Sequence, residues 1–151
     1  MKISLTKHES RPHTLLCLRD DGSRTWFTSA NNSGYFVEHD IAHYVVESEL
    51  GLSDSFYGMV SMGRDLNDFG NPESGPISVE AENTEHLVAL LQHDRRTPVS
   101  YGEYVDALSS MCKADCPAVT ESDFQNMRAN LARLMDAWRG LKPEEVLEVE
   151  F

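Results

Sequence analysis

The chain has 151 residues, enough for one domain with an ordinary hydrophobic core and no disulfide or metal staples. Aspartate and glutamate number 25 against 13 lysine and arginine, a formal net charge of −12, so the surface repels phosphate backbones and anionic lipids at long range. Nucleic acid and membrane surfaces are therefore not expected as partners. With no secretory signal or bilayer-length apolar run, a single cytoplasmic domain over residues 1–151 is expected.

Residues 2–6 (K-I-S-L-T) alternate polar and apolar, as a half-buried strand does. The segments H-T-L-L-C-L-R and R-T-W-F-T-S flank D-D-G-S, and Asp21-Gly22 suits a two-residue primed turn, so a hairpin is predicted from about His13 to Ser29. A loop over 30–35 follows, then a helix of roughly residues 39–50 stopped at Gly51. A second helix is predicted after Ser53, with Phe56, Met59, Val60 and Gly63 at helical spacing and glycines that permit close backbone approach. The run N-D-F-G-N-P-E-S-G-P (67–76) reads as a loop, either a connection or a lid.

Asn83 or Thr84 can cap a third helix through Asp94, with Leu87, Leu90 and Leu91 inward. Ser100 and Glu103 have capping-box spacing for a fourth helix, to about Lys113. Thr120 can cap the longest helix, to about Arg139, whose Phe124, Met127, Leu131, Leu134, Met135 and Trp138 form a core-facing stripe. The last residues alternate, with Leu147, Val149 and Phe151 on one face of a terminal strand. The expected fold is α+β: a small, mostly antiparallel sheet of N-terminal strands, hairpin and C-terminal strand, covered by about five helices.

Cys17, Cys112 and Cys116 cannot all pair within one chain, and without an export signal they are expected to be reduced thiols. Cys112 and Cys116 lack the second thiolate pair of a structural zinc site.

The chemistry concentrates in V-E-H-D-I-A-H-Y-V-V-E (37–47). Histidines at i and i+4 share one helix face, so the imidazoles of His39 and His43 can converge on one ion, zinc or another divalent transition metal. Glu47 stands about 12 Å from His39 along the helix axis, too far to share an ion with it. It is expected to fix the tautomer of His43 instead, or else His43 and Glu47 bind the metal without His39. A third ligand must come from elsewhere: His86, His93, His8, His13, Asp65 or Asp68.

His39-Asp40 through Glu47, followed by Gly51, Phe56, Gly58 and Gly63, resembles a group of small bacterial proteins of uncharacterised function. In these, an H-D-x-x-H-x-x-V-E helix precedes a glycine-containing helix and a strand ends the chain. The resemblance runs from D-D-G-S to W-R-G-L-K-P-E-E-V-L-E-V-E-F and implies one compact bacterial cytoplasmic domain, with no activity attached. Over five residues H-D-x-x-H is also similar to the H-E-x-x-H of zincin metalloproteases. That similarity implies a hydrolase with Asp40 as general base, although aspartate is a methylene shorter than glutamate.

Two readings follow. In the first the protein binds a metal through His39 and His43 and is a metal-dependent hydrolase. In the second it is a non-catalytic interaction module, in homodimeric form, whose histidines sit at the boundary of an amphipathic helix and are structural.

Overall fold

The computed structural model describes residues 1–9, 13–29, 35–69, 71, 74–112 and 114–151. The strands are β1 (Lys2–Lys7), β2 (His13–Leu18), β3 (Arg24–Thr28) and β4 (Val146–Glu150). The helices are α1 (Tyr35–Leu50), α2 (Phe56–Ser61), α3 (Val79–Arg96), α4 (Tyr101–Met111) and α5 (Glu121–Gly140), with a 3-10 turn at Leu66–Asp68. The strands form one antiparallel sheet in the order β3-β2-β1-β4. This is the α+β arrangement expected, with the C-terminal strand beside the first. No helix among the described residues is long and apolar enough to cross a membrane.

The hairpin forms, but its turn differs from the primed one predicted. Gly22 N–H donates to Arg19 O at 3.0 Å and Arg19 N–H to Ser23 O at 2.8 Å. The loop is therefore the three residues Asp20-Asp21-Gly22, with a glycine bulge at φ +84°. Asp21 keeps a negative φ because its carboxylate accepts the Ser23 N–H at 2.8 Å, holding it in a local turn.

Helix boundaries shift where side chains find better partners. α1 begins at Tyr35, a turn earlier than residue 39, and so adds buried Val37 and Glu38 to its packed surface. It stops before Gly51 at φ +65°. α3 is capped by Ser78, whose hydroxyl accepts the Ala81 N–H, rather than by Asn83 or Thr84. Those two are buried inside the helix: Asn83 Nδ2 donates to Ala114 O at 2.7 Å, and Thr84 Oγ1 lies 2.7 Å from Ser55 Oγ. α2 is only six residues long, and Gly63 (φ +114°) lies in the turn after it. The predicted capping box of Ser100 with Glu103 is present, and Thr120, predicted as a cap, forms a second box with Asp123. Of the loops at 30–35 and 67–76, residues 30–34, 70, 72 and 73 lie outside the described residues.

Cys112 and Cys116, expected as reduced thiols, lie side by side with Cα–Cα 5.8 Å, a separation that a disulfide can span. The chain leaves α4 at Cys112 and turns back through Asp115 at positive φ, which brings the second cysteine over the first. Cys17 is buried in β2, and burial pushes its thiol up to about 12.

One face of the sheet carries the core. Ile3, Leu5, Leu15 and Cys17 join Val37, Ile41, Val45, Leu87, Leu91 and the α5 stripe in one buried cluster. Cations from the strands close two helices at their carbonyl ends, where the helix dipole is negative. Lys7 Nζ, at the end of β1, donates to the carbonyls of Trp138 and Arg139 in the last turn of α5 and of Leu141 beyond it, and Arg19, just past β2, donates to those of Val60 in α2 and Arg64 beyond it.

α1 lies at the centre, packed on α3 and α5 and linked to the sheet by Asp40, so it buries polar as well as apolar faces. A buried polar group is costly unless bonded, and each one on α1 has its own neighbour. Glu38 takes Arg95 and Arg96 at the end of α3. Asp40 takes His13 on β2, and Glu47 takes the backbone of α2. His43 takes carboxylates on both sides.

Candidate metal centre

Two helices build the site. α1 places His39 and His43 one turn apart on the side that packs against α3, with ring centroids 4.6 Å apart and nearly perpendicular. α3 answers with Glu85, and one possible ligand atom from each of the three residues lies within 4.8 Å of the other two. His43 Nε2 is 3.2 Å from Glu85 Oε1, and His39 Nε2 is 3.7 Å from Glu85 Oε2. His43 is buried, whereas the Glu85 side chain is half exposed and opens the group to solvent. Phe56, 5.2 Å from the His43 ring and packed at a tilt against Phe69, forms an apolar wall beside it.

The opposite nitrogens of both rings are held. His43 Nδ1 donates to Glu47 Oε1 at 3.0 Å, and His39 Nδ1 is 3.2 Å from Gln92 Oε1. Glu47 is in turn fixed by the backbone N–H groups of Tyr57 at 2.8 Å and Gly58 at 3.2 Å. Acceptors at both Nδ1 atoms favour Nδ1–H, so a neutral ring at either position would turn an Nε2 lone pair toward the Glu85 carboxylate. Lone pairs facing a carboxylate repel unless a positive charge lies between them. In the metal-free protein a proton on His43 supplies it. Burial pushes this imidazole down, but its hydrogen bonds to Glu47 and Glu85 and their charges outweigh burial and raise it to about 9. Burial raises Glu47, partly offset by His43 and the α2 amides. Burial would also raise Glu85, but the hydrogen bond from His43 and the nearby histidines bring it below its usual value.

Of the residues singled out in the sequence, the fold brings together His39, His43 and Glu47. Asp40 goes elsewhere: its carboxylate accepts His13 Nε2 at 2.6 Å beneath the sheet, and its carbonyl accepts the Tyr57 hydroxyl. None of the six third-ligand candidates joins the group. His8 bonds Thr14 and Glu144, Asp65 caps the 3-10 turn, Asp68 accepts from Ser74, and His86 and His93 belong to other faces of α3. The residues missed are Glu85 and Gln92, seven apart and so two turns apart on one face. The pair His86 and His93 has the same spacing one position later, which turns it about 100° around the helix.

The fold and site define an α+β protein carrying a two-histidine, one-carboxylate cluster whose ring nitrogens are oriented from behind. No known family model, curated protein or solved structure matches the chain.

Proposed function

We propose that the protein binds a divalent transition metal, zinc by the character of its donors, through His39, His43 and Glu85. One observation carries this reading: the Nε2 atoms of His39 and His43 converge on the Glu85 carboxylate, while each Nδ1 lies against a fixed oxygen. Two imidazoles and one carboxylate are a donor set of zinc hydrolases, which leave a position for water or substrate. Zinc held this way supplies a Lewis acid that polarises a carbonyl or phosphoryl oxygen and acidifies bound water. Within this reading Glu47 and Gln92 orient the ligands, the half-exposed side of Glu85 admits substrate, and Phe56 and Phe69 exclude water on one flank. Asp40, held by His13, is not assigned the base role that the zincin likeness implied.

Calorimetric titration of the untagged, metal-stripped protein with zinc, and visible spectroscopy with cobalt, test the proposal. One equivalent is expected to bind, with cobalt bands of a low-coordinate nitrogen and oxygen site. Glu85→Gln, a change at a half-exposed position, is expected to weaken binding at least tenfold without unfolding the protein. Absence of stoichiometric binding, or equal affinity in Glu85→Gln, overturns it.

A further inference from the structure

We propose that the outer face of the sheet is a homodimer interface, in which Arg24 of each copy meets Glu150 of the other. Among the described residues, the helices cover one side of the sheet. Ile3, Leu5, Leu15 and Cys17 point into the core, so their strand neighbours stand on the opposite face. Three sizeable apolar side chains on that face remain in water: Trp26 is 55% exposed, Val146 42% and Leu18 41%.

The register makes this face self-complementary. Arg24 pairs with Leu18, Leu18 with Lys2 and Lys2 with Glu150, so one row across the sheet starts with a cation on β3 and ends with a carboxylate on β4. A two-fold axis parallel to the strands, midway between β2 and β1, lays β3 of one copy over β4 of the other and keeps each row over itself. That operation sets Arg24 against Glu150 of the second copy twice, as an isologous interface requires. It places each Leu18 on the aliphatic stem of Lys2 of the second copy. It also sets the indole N–H of Trp26 toward Glu148 of the second copy, since the next row carries those residues at its ends. Packed sheets stand about 10 Å apart, a gap that an arginine and a glutamate bridge together. A two-fold perpendicular to the strands would set Arg24 over Thr28 and Glu150 over Val146, with no counter-charge across the interface for either. The charges thus select the orientation as well as the partner.

Four strands of about five residues present a face of roughly 300–400 Å² per copy. Stable complexes bury about 800 Å² per partner, so this contact belongs to the weak, reversible class. It is independent of the metal reading, because His39, His43 and Glu85 lie on helices behind the sheet.

Sedimentation velocity from micromolar to millimolar protein tests it, with Trp26 emission as a second signal and circular dichroism to check folding. The wild type is expected to gain mass toward twice that of the monomer as concentration rises, while tryptophan emission shifts to the blue. Arg24→Glu and Glu150→Arg each place like charges in contact and are expected to weaken association at least tenfold. An equimolar mixture of the two variants pairs opposite charges at both contacts of a mixed dimer and is expected to restore association. A wild type that stays monomeric, single variants that associate like it, or a mixture that stays monomeric overturns the proposal.

Discussion

Glu47 accepts the backbone N–H of Tyr57 at 2.8 Å, fastening the start of α2 to the last turn of α1. The same carboxylate takes the Gly58 N–H and His43 Nδ1, so one buried side chain joins the fold to the candidate site. Glu47→Ala leaves these donors unpaired and is expected to destabilise the protein by about 3–5 kcal/mol. Glu47→Gln keeps an acceptor and is expected to cost about 1–2 kcal/mol. Urea unfolding of both variants measures the difference; equal, small losses would show that the carboxylate carries no structural burden.

Gln92 touches the site only through His39 Nδ1. If its role is orientation, Gln92→Ala should lower zinc affinity about 10–100-fold, as removal of such partners does in metalloproteins. Gln92→Glu, which keeps an acceptor at that position, should recover much of the loss. Calorimetry on the two variants reads this out, and an unchanged affinity in Gln92→Ala would remove the orienting role.

Gly58 is required by space. A Cβ there would lie 2.2 Å from the Ser53 carbonyl oxygen, a backbone atom that cannot swing aside. Gly58→Ala must displace the 53–58 turn and with it the amide that Glu47 holds. A loss of at least about 1–3 kcal/mol is expected by analogy with overpacked cores. Thermal unfolding would measure it, and a variant as stable as the wild type would mean that the turn can open freely.

The two capping boxes give the protein an acid limit. Hydrogen bonds from the Ser100 hydroxyl and N–H hold the Glu103 carboxyl below its ordinary 4.5. The backbone and hydroxyl of Thr120 hold Asp123 below its ordinary 3.8. A folded-state value lower than the unfolded one stabilises the fold above the unfolded value, and this contribution fades as pH falls through the folded value. The double change Glu103→Gln and Asp123→Asn should therefore destabilise the protein at neutral pH and converge on the wild type well below pH 3.8. Denaturant titrations at both ends of that range check this; a penalty independent of pH would refute the assignment.

Local chemistry made much of the fold legible. Alternation in K-I-S-L-T and in V-L-E-V-E, the cap spacings at Ser100 and Thr120, and the α5 stripe each belong to one element and need no knowledge of its neighbours. α1 was harder to read. Its apolar arc predicts a half-exposed helix with histidines at the edge, yet Glu38, Asp40, His43 and Glu47 are all buried. What makes that tolerable is a set of partners 10 to 58 positions away along the chain or on the facing carboxylate of Glu85, which no periodicity of α1 reports. Glu85 and Gln92 were invisible for the same reason. On a polar helix they look like any solvated face until α3 is laid against α1.

A helix whose interior-facing groups are each claimed by a different neighbour cannot loosen from one of them alone. The amide protons of α1 should accordingly be the slowest in the molecule to exchange with deuterium, escaping only when the whole chain unfolds. α4, which leans chiefly on α3 and meets the core through Tyr104 and Leu108, should exchange through smaller openings. The histidines of the candidate site would then inherit their positional accuracy from the most persistent element of the protein.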